Sequence, residues 1–402
     1  VKQKMWQLFD IARFKLNIDI EREEARDIFL KILELSQKEK IIFPNFGQIV
    51  NALLTMLEDI TPVIEYIDFG IWYVDEFMTM NKKYSEDEVT FLIDVYHCKL
   101  MIEGRLGRIK ENEDELRKYV IREYNCARFL YEENPQKVRF VYTYSMACSD
   151  LTIMYTFLEE YEKIKVLNET NKKLKGYLHT QYPDTFLYAE SYSIFLYNCA
   201  NYSTIYSDDE RICFIEEAFE TLSPYLKLNN IKASWEYLNL WKAIVDGFRK
   251  QKDADKYKIR VQKGIEKQLQ YLPHVLKVIF EGDEHNITFR KEALSRVADI
   301  YNLYRFVADK KVLCILGKSI YDIAVQICNI ENSDYSYLFL ASTIKTLCAD
   351  QISDFQNEVM DDVQLLKGYQ KYIESKIKME PQRIVFHQAM LAVPEAEMTQ
   401  MM

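Results

Sequence analysis

Glycine and proline are scarce in this chain, with 10 Gly and 8 Pro among 402 residues. So few turn formers disfavour all-β and doubly wound folds, which need many tight connections. The eight cysteines contain no C-x-x-C pair, and most fall on apolar helical stripes. That pattern predicts buried, reduced thiols in a cytoplasmic protein. His97, His179, His274, His285 and His387 are scattered, with no H-E-x-x-H and no zinc spacing, so neither a metal nor a cofactor is expected. Gly104-Arg105-Leu106-Gly107 lacks the pattern of a phosphate loop, and no G-x-S-x-G elbow occurs. No apolar run approaches the roughly 18 residues needed to span a bilayer, and no signal-peptide pattern opens the chain, so no membrane is expected as a partner. A formal net charge of −10 argues against generic affinity for nucleic acid.

Aromatic side chains are plentiful, with 29 Tyr and 22 Phe. Long helices packed in pairs can hold such rings between layers with their hydroxyls reaching solvent. Apolar residues recur at helical spacing almost throughout. Leu151, Met154, Tyr155 and Leu158 mark the buried face of a helix over roughly Lys137 to Leu158, and a second begins near Tyr161. Tyr188, Tyr192, Phe195, Cys199 and Tyr202 form a similar stripe. Ser207-Asp208-Asp209-Glu210 then reads as a capping box, and Pro224 is expected to end the helix it opens. Ser85-Glu86-Asp87-Glu88 is another such box, and Thr61 before Pro62 reads as an N-cap.

Cys148, Thr152, Tyr155 and Ile164, and again Phe195, Cys199, Tyr202, Ile215 and Ala218, are spaced as the bulky, small, tyrosine and alanine positions of a helical hairpin repeat. In this the chain resembles a divergent member of the tetratricopeptide-type helical repeat superfamily. Ile164 and Arg211 stand where that pattern has its first alanine, and the usual glycine is missing. Pro135, Pro183, Pro224 and Pro273 lie 48, 41 and 49 residues apart, a longer period than the repeat's usual 34 or so. The resemblance implies an all-α fold: a curved, right-handed α-solenoid of about fourteen or fifteen antiparallel helices in stacked hairpins. N-terminal hairpins are expected over 1–134, central repeat-like hairpins over 135–273, C-terminal hairpins over 274–380 and a partly disordered tail over 381–402, in one continuous array.

Two surfaces are candidates for recognition. Eight cations crowd Arg249 to Lys267 against Asp253, Asp255 and Glu266. Of these, Lys256, Arg260, Lys263 and Lys267 recur at three and four and so line one helical stripe, a solvated face or a dock for an acidic partner. The resemblance also implies that first-helix side chains line a concave surface. Those positions are Met146, Ser149, Ile153 and Thr156 in one hairpin and Ser193, Leu196, Ala200 and Ser203 in the next. They are small and mildly apolar, without the superfamily's basic carboxylate clamp, which suits an apolar peptide or a protein helix.

No residue here has a context that marks it as catalytic. The function expected is therefore a non-catalytic, cytoplasmic helical-repeat scaffold that binds a peptide or partner protein, the sensing or regulatory part of a larger system. One alternative is a bacterial peptide-responsive regulator of the pheromone-receptor type, although residues 1–80 show no basic recognition helix. The other is the helical regulatory half of an enzyme whose catalytic domain lies elsewhere.

Overall fold

The computed structural model describes residues 1–16, 22–43, 45–78, 85–250, 255–282, 287–305, 310–331 and Leu340. Every regular element among these residues is helical. They are α1 (Lys2–Leu16), α2 (Arg22–Glu39), α3 (Phe46–Met56), α4 (Thr61–Phe77), α5 (Glu86–Arg105), α6 (Glu113–Glu133), α7 (Val138–Phe157), α8 (Tyr161–Gln181), α9 (Phe186–Ala200), α10 (Asp208–Lys227), α11 (Ile231–Lys250), α12 (Asp255–Ile265), α13 (Leu272–Gly282), α14 (Ile287–Tyr304) and α15 (Lys310–Glu331), with a 3-10 segment at Glu266–Tyr271. The chain divides into two compact units, Val1–Pro183 and Asp184–Met402. The C-terminal hairpins expected up to residue 380 lie outside the described residues from 332 on, Leu340 apart, and so does the tail over 381–402.

In unit 1 each helix packs on the next, and α5 also packs on α3 and α7, the second-neighbour contact that stacked hairpins make. α5 starts at the expected capping box: Ser85 Oγ accepts from Glu88 N, and the Glu88 carboxylate accepts from Ser85 N at 2.7 Å. Thr61 is not the cap of α4. It is the first helical residue, and Asp59 Oδ1 takes both its amide and its hydroxyl, at 2.9 and 2.6 Å. The α7–α8 hairpin has the expected bounds, turned by Glu159 at φ 58°. Its Cys148, Thr152 and Ile164 are buried, as the resemblance requires.

In unit 2 one hydrophobic core runs from Ala189 on α9 to Cys328 on α15, and Leu340 belongs to it. α10 pairs with α9, α11 packs on α13 and α14, and α14 pairs with α15. Arg211, which replaces an alanine of the repeat pattern, has its own use. Buried to 3% exposure, it donates from Nε to the Ala200 carbonyl at the end of α9 at 2.7 Å. Pro224 does not end α10, which runs on to Lys227. The Glu220 carbonyl, which an amide at 224 would have met, accepts the Ser223 hydroxyl at 3.1 Å instead. Pro273 likewise opens α13 near its first turn, where a missing amide costs nothing.

Two further expectations are corrected. Several tyrosine hydroxyls do not reach water but tie helices together: Tyr197 donates to the Ala243 carbonyl at 2.6 Å, Tyr237 to Gln268 at 2.8 Å and Tyr304 to Gln262 at 2.8 Å. Lys311–Ile330 of α15 is long and apolar enough to cross a membrane by length and composition. Half of it is buried within unit 2, where Leu316, Ile320, Ile323 and Ile327 face the core.

Candidate functional site

The C-terminal part of unit 2 holds a cleft of about 570 Å³. One wall is the stripe Pro273, Leu276, Lys277, Phe280 and Glu281 on α13, and the other is Ser319, Asp322, Ile323 and Gln326 on α15. Both follow the three-and-four spacing of a single helix face, so each presents a ridge to whatever lies between them. Arg290 of α14 joins the lining. Only 5% exposed, it is held with its guanidinium 5.1 Å from the Phe280 ring centre while its Nε donates to Gln326 Oε1 at 3.2 Å. Ser319 donates to the Ile315 carbonyl of its own helix at 2.9 Å. At the rim, Lys277 and Glu281 sit 3.6 Å apart and are well exposed. The cleft therefore offers an apolar bed, a fixed cation and carboxylates at its edge. Sequence reading passed over it, although the recurrence of Leu276, Phe280 and Ile323 on two helices was a visible signal.

Unit 1 contains the other unusual chemistry, a set of ionisable groups inside the helix packing. His97 Nδ1 of α5 lies 2.7 Å from Asp150 Oδ2 of α7, whose side chain is 2% exposed. The Asp150 charge raises His97 to about 9, against the opposing effect of burial. Glu123 of α6 is fully buried. Burial, then the charge of Asp150 and a hydrogen bond with it, then Asp94 drive its carboxyl well above the ordinary range. Asp94 accepts from the Gly47 amide of α3 at 3.2 Å, and burial raises it to about 6. On α8, burial lowers Lys175 to about 8, with Cys148 and Asp150 opposing. Burial also pushes the Cys148 thiol up to about 12. Asn171 Nδ2 donates to Ser149 Oγ at 2.9 Å, and the Thr152 hydroxyl to the Cys148 carbonyl at 2.8 Å. Among the described residues no group of three His, Cys, Asp or Glu could hold a metal ion.

The structure distributes the residues singled out in the sequence as follows. Ser193, Leu196 and Ala200 are 1%, 0% and 3% exposed, and Ser193 Oγ donates to the Ala218 carbonyl of α10 at 3.2 Å. That stripe of α9 is core rather than a binding face, which corrects the expectation. The α9–α10 pairing turns it inward. Ser203 is exposed in the turn beyond α9. Met146, Ser149, Ile153 and Thr156 are half-buried on α7, with the Ser149 and Thr156 hydroxyls bonded to carbonyls of their own helix at 3.2 and 2.8 Å. Of the basic stripe, Arg260 pairs with Asp209, Lys267 lies 3.6 Å from Glu220, and Lys263 is exposed. The side chain of Lys256 lies outside the described residues. Two of the four cations thus meet acidic residues of α10, on which α12 packs. Of the eight cysteines, Cys98, Cys148, Cys199 and Cys328 are buried thiols and Cys213 is exposed.

No family model matches the chain, and no curated protein matches it. Among solved structures it is similar to a circular tandem repeat protein with novel repeat topology and enhanced subunit contact surfaces, at 14% identity and a TM-score of 0.38, covering 99% of this chain and 97% of that one. It is also similar to yeast Tom70, at 10% identity and a TM-score of 0.16, covering 96% of each chain. At those scores neither superposition bears on function.

Proposed function

We infer that this chain is a non-catalytic helical scaffold that binds a peptide or partner protein, and that the α13–α15 cleft of unit 2 is where contact is made. The observation that carries the reading is the pair of facing helical ridges. Phe280 is the partly exposed apolar side chain of the lining, Leu276 and Ile323 belong mainly to the core of unit 2, and Arg290 is fixed beside Phe280. A cleft of that size suits a few side chains of a peptide. A cytoplasmic location and a regulatory place in a larger system belong to the same reading, the first supported by the seven described cysteines standing as thiols.

The test is selection of peptides from a displayed random library on the whole protein, followed by fluorescence anisotropy with the wild type, Phe280→Asp and Asp322→Arg. Binding weakened at least tenfold by both substitutions is expected. Peptides that bind the variants as tightly as the wild type would remove the cleft from the reading.

A further inference from the structure

Acidic and aromatic side chains share the outer face of α4 in unit 1. From Glu58 to Glu76 the chain carries six carboxylates and no lysine, arginine or histidine. Three of them are engaged within the fold. Asp59 accepts from Thr61 at the start of α4, Asp68 lies 3.4 Å from Lys99 of α5, and Asp75 lies 3.5 Å from Arg122 of α6. Glu65 and Glu76 are exposed, and among the described residues no cation pairs with either. Between them, at steps of four, three and four, run Phe69 and Trp72, so the four side chains form one stripe. Trp72 is 38% exposed and Phe69 half-buried. The rings are held from below. Phe69 meets Trp72 at 5.7 Å and stacks on Tyr66 at 6.1 Å, and Tyr66, with no exposed surface, stacks on Phe46 of α3 at 4.6 Å. One cation already uses this surface: Lys40, just past the end of α2, places its ammonium 5.2 Å from the Trp72 ring centre.

We propose that this stripe of α4 docks a cationic peptide segment of a partner protein, one that carries lysine or arginine beside apolar side chains. Charge complementarity sets the sign. Lys40 leaves the surroundings of the ring negative, because Glu65 and Glu76 flank it with no cation of their own, and the same carboxylates repel nucleic acid and anionic lipid. Charge alone holds little, since exposed ion pairs contribute weakly. The aromatic stripe adds the area that a binding hot spot needs, and tryptophan is among the residues most enriched in one. An incoming ammonium or guanidinium gains from both parts at once: the ring face attracts it, and Glu65 or Glu76 accepts its N–H. Because the rings are fixed before the partner arrives, little freedom is lost on docking. The surface belongs to unit 1, and the inference does not rest on the cleft of unit 2.

The experiment uses the whole chain and a fluorescein-labelled amphipathic peptide of Lys, Leu and Ala, about four helical turns long. A version with glutamate in place of every lysine is the control. Fluorescence anisotropy should show binding of the first peptide, weakened by salt, and none of the second. Trp72→Ala is expected to lose at least tenfold in affinity, and Trp72→Phe, which keeps a ring, to stay within threefold. Glu65→Lys combined with Glu76→Lys should also lose at least tenfold, whereas the same charge change at the exposed Glu111 and Glu169 should cost less than threefold. Phe280→Asp, in the cleft of unit 2, should change nothing. Failure of the lysine peptide to bind at low salt overturns the proposal, and so does Trp72→Ala binding as tightly as the wild type. Equal losses from the two charge-reversed pairs would reduce the effect to the net charge of the chain. Loss of binding in Phe280→Asp alone would move the peptide to the cleft. Self-association that Glu65→Lys with Glu76→Lys abolishes, without peptide binding, would give the face to a second copy of the chain.

Discussion

Replacing Gly70 by alanine sets two effects of known size against each other. Gly70 lies inside α4, where alanine is ordinarily better than glycine by about 1 kcal/mol because the unfolded chain loses less freedom on folding. The added methyl, however, would sit 2.8 Å from Val95 Cγ2, 3.2 Å from Val95 Cγ1 and 3.3 Å from Phe46 Cε2. Val95 is a β-branched residue with essentially no exposure on a helix, so its rotamer is stiff. Phe46 cannot swing away either: it is stacked on Tyr66 at 4.6 Å and meets Phe91 edge-on at 5.2 Å. Overpacking of this kind costs about 1–3 kcal/mol, which exceeds the propensity gain and leaves Gly70→Ala destabilising by roughly 1 kcal/mol. Gly104, near the end of α5, is the control. Its nearest neighbour is a flexible Ile109 Cδ1 at 3.4 Å, so Gly104→Ala should stabilise by up to about 1 kcal/mol. The assay is urea unfolding followed at the tryptophans of unit 1, Trp6 and Trp72, with midpoints compared at unchanged slope. If Gly70→Ala stabilises as much as Gly104→Ala, the close approach of α4 to α5 is not what fixes glycine there.

The remaining predictions concern both units. Asp94 is raised to about 6 in the folded protein from an ordinary 3.8, so its contribution to stability is fully present below the lower value and is lost as pH rises through the higher one. Discounted for its partial exposure, that is worth about 2 kcal/mol. The melting temperature of unit 1 should therefore fall between pH about 4 and 7, and the fall should shrink in Asp94→Asn, whose amide oxygen still accepts from Gly47; equal slopes would exclude Asp94 as the source. Trp241 has no exposed surface and packs on Phe219 at 5.2 Å and Tyr304 at 5.9 Å. Trp241→Ala should cost unit 2 about 3–5 kcal/mol while Trp6 and Trp72 still report the unfolding of unit 1 unchanged. Ser207 accepts from Glu210 N and closes the capping box of α10. Ser207→Ala should lower unit 2 stability by about 1 kcal/mol in denaturant titrations, and a change below experimental error would mean the box contributes nothing there.

The helices were legible in the sequence because their signals are local. The capping serines Ser85 and Ser207, the apolar stripe of α7 and the aromatic start of α8 each act within a turn or two, and the structure places those elements where the spacing put them. Pro224 misled for the same reason: it reads as a stop, but the carbonyl that its missing amide leaves has another donor. Faces were harder to assign than helices. Ser193, Leu196 and Ala200 look like a lining of small residues when α9 is read alone. They become core once α10 lies across them.

The polar cluster of unit 1 was illegible for a different reason. His97 and Asp150 are 53 positions apart, and nothing in either local context marks a pair. What joins them is the stacking itself, which sets α5 against α7 with α6 between them in the chain. A usable signal did exist: Asp94, Glu123 and Asp150 each interrupt a stripe that is otherwise apolar, and a lone carboxylate on a buried face needs a partner. A hairpin stack supplies partners at second-neighbour distance, so the residues to compare were those of alternate helices. On that rule Asp150 of α7 looks to α5, where His97 stands between apolar Tyr96 and Cys98. The rule does not serve Glu123 of α6, which the structure buries fully with Asp150 as its neighbour. A side chain so placed is tolerated only as the neutral acid.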